Sequence, residues 1–193
     1  GQRRQAAALE ARLRPVPVGP EHLPNDLRCI SYGVPNLVAG PNSYSQILQR
    51  RGYVVLFSEL IHDARIISLD GRPHLPSSVR QWHGNSRGRW DGETLVVDTT
   101  NFSGKSYFLG STDNLHLLER FTRVADDQIN YEITASDPST WAQPWTAVMH
   151  LKQSRDQIYE YACHEGNYDV MVDMLAGARV VEKAADAAKT RPK

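Results

Sequence analysis

Asp91-Gly92 stands between two runs of strand-forming residues, Arg87-Gly88-Arg89-Trp90 on one side and Glu93 to Phe102 on the other. A two-residue Asp-Gly connection supplies the positive φ angles of a tight hairpin, whose twist matches that of its strands. The same grammar recurs along the chain. Leu115 to Val124 and Gln128 to Ala135 flank the turn Ala125-Asp126-Asp127, and Thr146 to Lys152 and Gln157 to Cys163 flank Ser154-Arg155-Asp156. Upstream, Tyr44 to Gln49 and Tyr53 to Ile61 flank Gly52, and Arg65 to Leu69 runs into the turn Asp70-Gly71. Bulky and polar side chains alternate with a period of two in these runs, the pattern of half-buried strands. Pro73 and Pro76 keep their segment out of a central strand, so it reads as a loop leading to one helical turn over Val79 to Trp82.

Strands joined by short turns predict a meandering antiparallel sheet, and a sheet of that many strands curls to remove its edges. The fold expected is mainly β: an up-and-down, lipocalin-like or calycin-like barrel or half-barrel over 44–168, with an open two-layer α+β sheet as the second choice. Arg3 to Leu13 reads as a helix that Pro15 stops, and Pro17, Pro20 and Pro24 continue a Pro-rich arm, so 1–43 forms a separate N-terminal segment. Val170, Met171, Met174, Leu175 and Ala178 recur at helical spacing, which makes 169–193 a C-terminal helix and tail.

The 193 residues carry 22 basic and 22 acidic side chains, a formal net charge of zero. That balance gives no bulk attraction to nucleic acid or to an anionic membrane, and no apolar run approaches the ~20 residues of a membrane span. The partner expected is a small molecule, with self-association left open. Cys29 and Cys163 are too far apart in sequence for a zinc knuckle or redox pair, and read either as one disulfide closing a long loop or as two buried thiols.

Chemistry concentrates in Ile158 to Tyr168, which holds His164, two carboxylates, three phenols, Asn167 and Cys163. Read as a strand that ends at Gly166, it leaves His164 and Glu165 at a backbone turn, free to converge on a pocket, with Tyr159, Tyr161 and Cys163 sharing one face. His62-Asp63 ends an apolar strand, where a neutral imidazole suits a general base and a carboxylate can orient it. Adjacent strand residues point apart, so Asp63 pairing with Arg65 or a turn amide is an equally plain reading. His116 and Glu119 point to opposite faces of their strand. His62, His116 and His164 with Glu59 or Glu165 make a conceivable metal set, but no HExxH or close ligand pair supports it, and no metal or other cofactor is expected. Nucleophile-elbow, phosphate-loop and dinucleotide motifs are absent from the sequence. Arg87 to Trp90 suits anions or stacking, and Trp141 and Trp145 suit the covering of a barrel end.

The segments His62-Asp63-Ala64-Arg65-Ile66-Ile67, Asp70-Gly71-Arg72-Pro73-His74-Leu75-Pro76, Arg80-Gln81-Trp82, Asp91 to Val97, Asn114 to Arg123 and Tyr159 to Tyr168 resemble a family of uncharacterised exported proteins of soil and environmental bacteria. The similarity runs from about Tyr44 to Ala178. It implies an exported β-rich domain, favours a disulfide, and carries over no reaction.

The function expected is metal-independent acid/base chemistry of lyase or isomerase type, by elimination, isomerisation or cyclisation, on a small or sugar-derived molecule. His62 or His164 acts as base, Asp63 or Glu165 orients it, and Tyr161 and His116 donate to the oxygen that gains charge. Trp82, Asn101, Arg65 and Tyr168 bind the substrate. The protein is expected to be periplasmic or secreted, its signal peptide absent from this sequence. A non-catalytic lipocalin-like carrier of a hydrophobic ligand is the alternative.

Overall fold

Eight strands form one sheet in the order β1 to β8, each hydrogen-bonded to its neighbours in sequence, and the sheet curls into a half-barrel. This computed structural model describes residues 23, 25–31, 33–35, 44–105 and 108–189. The expected N-terminal helix and most of the Pro-rich arm lie outside the described residues. The strands are β1 (Ser45–Arg50), β2 (Tyr53–Ser58), β3 (Ala64–Ser68), β4 (Asn85–Asp91), β5 (Thr94–Thr100), β6 (His116–Ala125), β7 (Gln128–Ser136) and β8 (Trp145–Lys152). The chain divides into two units, one spanning Tyr32–Glu160, the other built, among the described residues, from the segment before Tyr32 and from 161–189.

Asp91-Gly92 forms the tight β4–β5 turn, with Gly92 at φ 59° and Asp91 in register with Thr94. All pairings are antiparallel except one: β3 and β4 run parallel and share a single bridge, Ser68 to Arg87. The long 69–84 connection that the prolines enforce lets β4 enter alongside β3 in the same direction. The helical turn expected at Val79 to Trp82 does not form. Gln81 instead makes an isolated parallel bridge to Phe102, its backbone N–H donating to the Asn101 carbonyl.

Alternation sets the faces. Val54, Leu56, Ile67, Val97, Leu117 and Ile133 point to the concave side and are buried there together. Phe121 stacks on Tyr131 at 4.5 Å within the same cluster, while Trp141 and Trp145 meet edge to face at 5.5 Å and pack against it.

The last expected hairpin is corrected. Residues 153–162 form no strand, and an α-helix, α1 (Cys163–Lys189), begins where that strand was to end; Gly166 lies inside the helix. Side chains hold 153–160 in place of a ladder. Tyr44 donates its hydroxyl to Asp156 at 2.8 Å, and the Tyr159 N–H donates to the buried Glu59 carboxylate at 3.0 Å. A segment recruited by a phenol and a carboxylate near the opposite end of the meander cannot also lie flat against β8. Among the described residues no strand pairs β8 with β1, and the half-barrel is open there.

In the second unit a disulfide joins Cys29 to Cys163 across 134 positions of sequence. Asn167, on the first turn of α1, donates to the Leu27 carbonyl at 2.6 Å beside it. A disulfide of this kind belongs to an oxidising compartment. Among the described residues no helix is long and apolar enough to cross a membrane.

Candidate functional site

The concave face holds an ion pair in place of a cavity-lining polar group. Arg65 of β3 and Glu119 of β6 are 2% and 0% exposed, and their side chains meet in two contacts, one of 3.0 Å between Nη1 and Oε1 and one between Nη2 and Oε2. Arg65 also donates from Nε to Ser86 Oγ at 2.9 Å and from Nη2 to Thr99 Oγ1 at 2.7 Å. Tyr131 donates its hydroxyl to Glu119 at 2.6 Å. Burial, with the Glu119 charge second, pushes the Tyr131 phenol well above its ordinary value, so it stays a neutral donor. A buried charge pair is tolerable only when its remaining hydrogen-bonding capacity is met, and here Ser86, Thr99 and Tyr131, from β4, β5 and β7, meet it. Such a group holds a fold together; it offers nothing to a substrate.

The convex face carries a different cluster. Asp98 of β5 accepts from two imidazoles, His74 Nε2 on Oδ1 at 2.9 Å and His116 Nε2 on Oδ2 at 3.1 Å. His74 comes from the Pro-rich loop, His116 from the first position of β6. The ring of His74 is fixed at its other end too: Nδ1 lies 3.1 Å from Asn85 Oδ1, the oxygen that also accepts the Leu75 N–H. The loop itself is pinned by Asn101, whose amide donates to the Leu75 and Pro76 carbonyls at 2.9 and 3.2 Å. Asn101 adopts φ 59°, a left-handed conformation that asparagine tolerates better than most residues.

The electrostatics follow from that carboxylate. The hydrogen bond to Asp98 raises the His116 pKa above the usual imidazole value, with partial burial opposing it. The bond from His116 lowers Asp98 below the usual carboxylate value, again against burial. Among the described residues no partner meets His116 Nδ1, and the side chain is 45% exposed. An imidazole oriented at one nitrogen by a carboxylate and open at the other is the elementary unit of proton transfer.

His62 and Asp63 sit in a strained turn. Ile61 and His62 have φ of 60° and 52°, a left-handed pair that costs roughly 1–2 kcal/mol per residue. The turn brings Asp63 against His83, Oδ2 to Nε2 at 2.8 Å, while His62 is exposed. Asp63 therefore pairs with neither His62 nor Arg65.

The remaining residues named from sequence scatter. Arg65 is consumed by the interior ion pair. Tyr161 is half-buried ahead of α1, whereas His164, Glu165 and Tyr168 are exposed on the first turns of that helix. The shared strand face expected for Tyr159, Tyr161 and Cys163 does not exist, because the backbone there is irregular and then helical. His62 belongs to the first unit and His164 to the second. Trp82 is half-buried next to His83, and Asn101 acts on the His74 loop. Among the described residues no group of three or more His, Cys, Asp or Glu side chains is placed to hold a metal ion.

Of the sequence-named residues, His116 alone falls in the convex cluster, with Asn101 supporting it. Asp98 and Asn85 were missed, and His74 was read as a loop residue that could line a pocket mouth. Their signal was present: Asp98 is a carboxylate in the middle of Leu95-Val96-Val97-Asp98-Thr99, and parity puts it on the face away from Val97. What parity could not give was the path of the loop that returns His74 to it. No family model, curated protein or solved structure matches this chain.

Proposed function

We propose that the chain is an exported enzyme, periplasmic or secreted, that performs acid/base chemistry on a small or sugar-derived molecule at the convex face of its half-barrel. The observation that carries this is the Asp98 carboxylate shared between His74 and His116, with the His116 side chain 45% exposed and its Nδ1 meeting no partner among the described residues. His116 is the proton-transfer group: Asp98 fixes its orientation and stabilises its charged form, and Nδ1 is the nitrogen that gives up or takes a proton. His74, itself held at Nδ1 by Asn85, holds Asp98 from the other side, and Asn101 holds the loop that supplies His74. A proton moved to or from carbon or oxygen in this way suits elimination or isomerisation. The disulfide and the resemblance to exported bacterial proteins support the compartment.

The carrier reading draws less support. A carried hydrophobic ligand belongs on the concave side, which is filled by packed aliphatic and aromatic side chains around the Arg65–Glu119 pair.

The test does not require the natural substrate to be identified. Sugar acids and hydroxy ketones are incubated with the protein in deuterated water, and loss of C–H signal is followed by NMR. One or more compounds exchange with wild-type protein, and His116→Ala slows that exchange by about 10²–10⁴-fold. Exchange that survives unchanged in His116→Ala and Asp98→Asn sinks the assignment.

A further inference from the structure

We infer a second, separate binding site for a flat aromatic acid in an open groove between the β1–β2 turn and the end of β4. The groove has a volume of about 650 Å³ and is lined by Gln49, Arg50, Arg51, Gly52, Leu69 and Trp90. That volume lies within the range of small-molecule sites, roughly 300–1,000 Å³.

The sheet makes the groove by running out of strand. β3 ends at Ser68, the residue of its only bridge to β4, because the chain turns away at Asp70-Gly71, while β4 continues to Asp91. At Gly88 the two elements still touch: a Cβ there would lie 2.6 Å from Leu69 Cδ2 and 2.8 Å from Ile67 Cγ2. Two residues on, Trp90 faces the same way, paired with Leu95 of β5 on one side but with no β3 residue in register on the other, and it is left 46% exposed. The opposite wall is fixed, because the Leu69 N–H donates to the Gly52 carbonyl at 2.8 Å and ties the β1–β2 turn to the end of β3.

Charge sets the ligand. Among the described residues neither Arg50 nor Arg51 meets a carboxylate. The nearest acidic residue in sequence to Leu69, Asp70, is already paired with Arg72 and Arg87. Two unneutralised guanidiniums beside an exposed indole match a molecule with one planar face and one anionic group. The ring stacks on Trp90, and the carboxylate takes the forked N–H donors of arginine. The groove shares no residue with the His116 cluster.

The probe is 2-naphthoate, with neutral 2-naphthylmethanol and inorganic phosphate as comparison arms, titrated into the whole protein by calorimetry and by NMR of the tryptophan indole N–H signals. Trp90→Phe identifies the Trp90 signal. Saturable binding of naphthoate tighter than about 1 mM is expected, with the Trp90 signal moving and those of Trp82, Trp141 and Trp145 still. Arg50→Gln/Arg51→Gln weakens it at least about tenfold, as does loss of the carboxylate. Phosphate alone binds more weakly than naphthoate. Naphthoate binding persists in His116→Ala, which separates this site from the proposed catalytic one. Equal binding by the double arginine variant, equal binding of phosphate, or the absence of saturation overturns the inference.

Discussion

Replacing Glu119 by Gln removes one charge from the interior and leaves the Arg65 guanidinium buried without its counter-ion. The pair is 2% and 0% exposed, so water cannot take over. Glutamine keeps one acceptor oxygen but turns an N–H2 group toward the Arg65 guanidinium in either orientation, and toward the Tyr131 hydroxyl as well in one of them; both groups are donors to Glu119 in the native protein. Breaking a buried pair from one side typically costs about 3–5 kcal/mol. At roughly 2–4 °C per kcal/mol for a chain of this length, the midpoint falls by about 6–20 °C. Urea unfolding followed by tryptophan fluorescence measures the loss as a lower midpoint at constant slope. The informative companion is Arg65→Met/Glu119→Leu, which removes both charges and fills the space with apolar atoms. It is expected to be more stable than Glu119→Gln alone, because the cost lies in the orphaned charge. A Glu119→Gln protein within about 1 kcal/mol of wild type, or a double variant less stable than the single, would refute the reasoning.

The Asp98–His116 pair makes stability depend on pH at both ends. His116 is raised, so its contribution is complete below the ordinary imidazole pKa of 6.5 and is lost as pH rises through the folded value. Asp98 is lowered, so its contribution is complete above 3.8 and is lost as pH falls through its folded value. With His116 45% exposed the pair contributes no more than about 1 kcal/mol between those limits. NMR titration of His116 in Asp98→Asn should give a lower pKa than in wild type; an unchanged one removes Asp98 as the cause. Gly84 and Gly110 both have positive φ, 66° and 81°, but a Cβ at Gly84 would lie 2.7 Å from the Thr100 carbonyl oxygen whereas one at Gly110 meets nothing within 4 Å. Gly110→Ala should cost about 1 kcal/mol from backbone strain, and Gly84→Ala about 1–3 kcal/mol more, read from urea midpoints.

The hairpins were legible because their information is local. Asp91-Gly92 and Gly52 dictate turns, and alternation such as Leu117, Glu119, Phe121 dictates a face whatever lies opposite. Two kinds of information were not local. Tyr159 and Tyr161 alternate like strand residues, yet their neighbourhood is fixed by Glu59, 100 positions upstream, and by the bond between Cys29 and Cys163. A period-two pattern has no means of registering either. Likewise the convex cluster needs His74 and Asp98, 24 positions apart, brought together by a loop whose course depends on Asn101 in a left-handed conformation. The disulfide was the reading that the resemblance favoured for the cysteine pair, and it forms; chain separation alone left two thiols open, because it does not fix distance in space.

The lone bridge between β3 and β4 divides the half-barrel into two ladders, β1–β3 and β4–β8, each built from neighbours in sequence. Each ladder can zip by itself. Their union then falls to side chains, above all to one guanidinium that reaches from β3 to β4, β5 and β6 at once. A seam fastened by an electrostatic rivet instead of a row of amides responds to different solvents from the rest of the sheet, and the backbone at its one bridge, Ser68 and Arg87, is placed where the two halves part first.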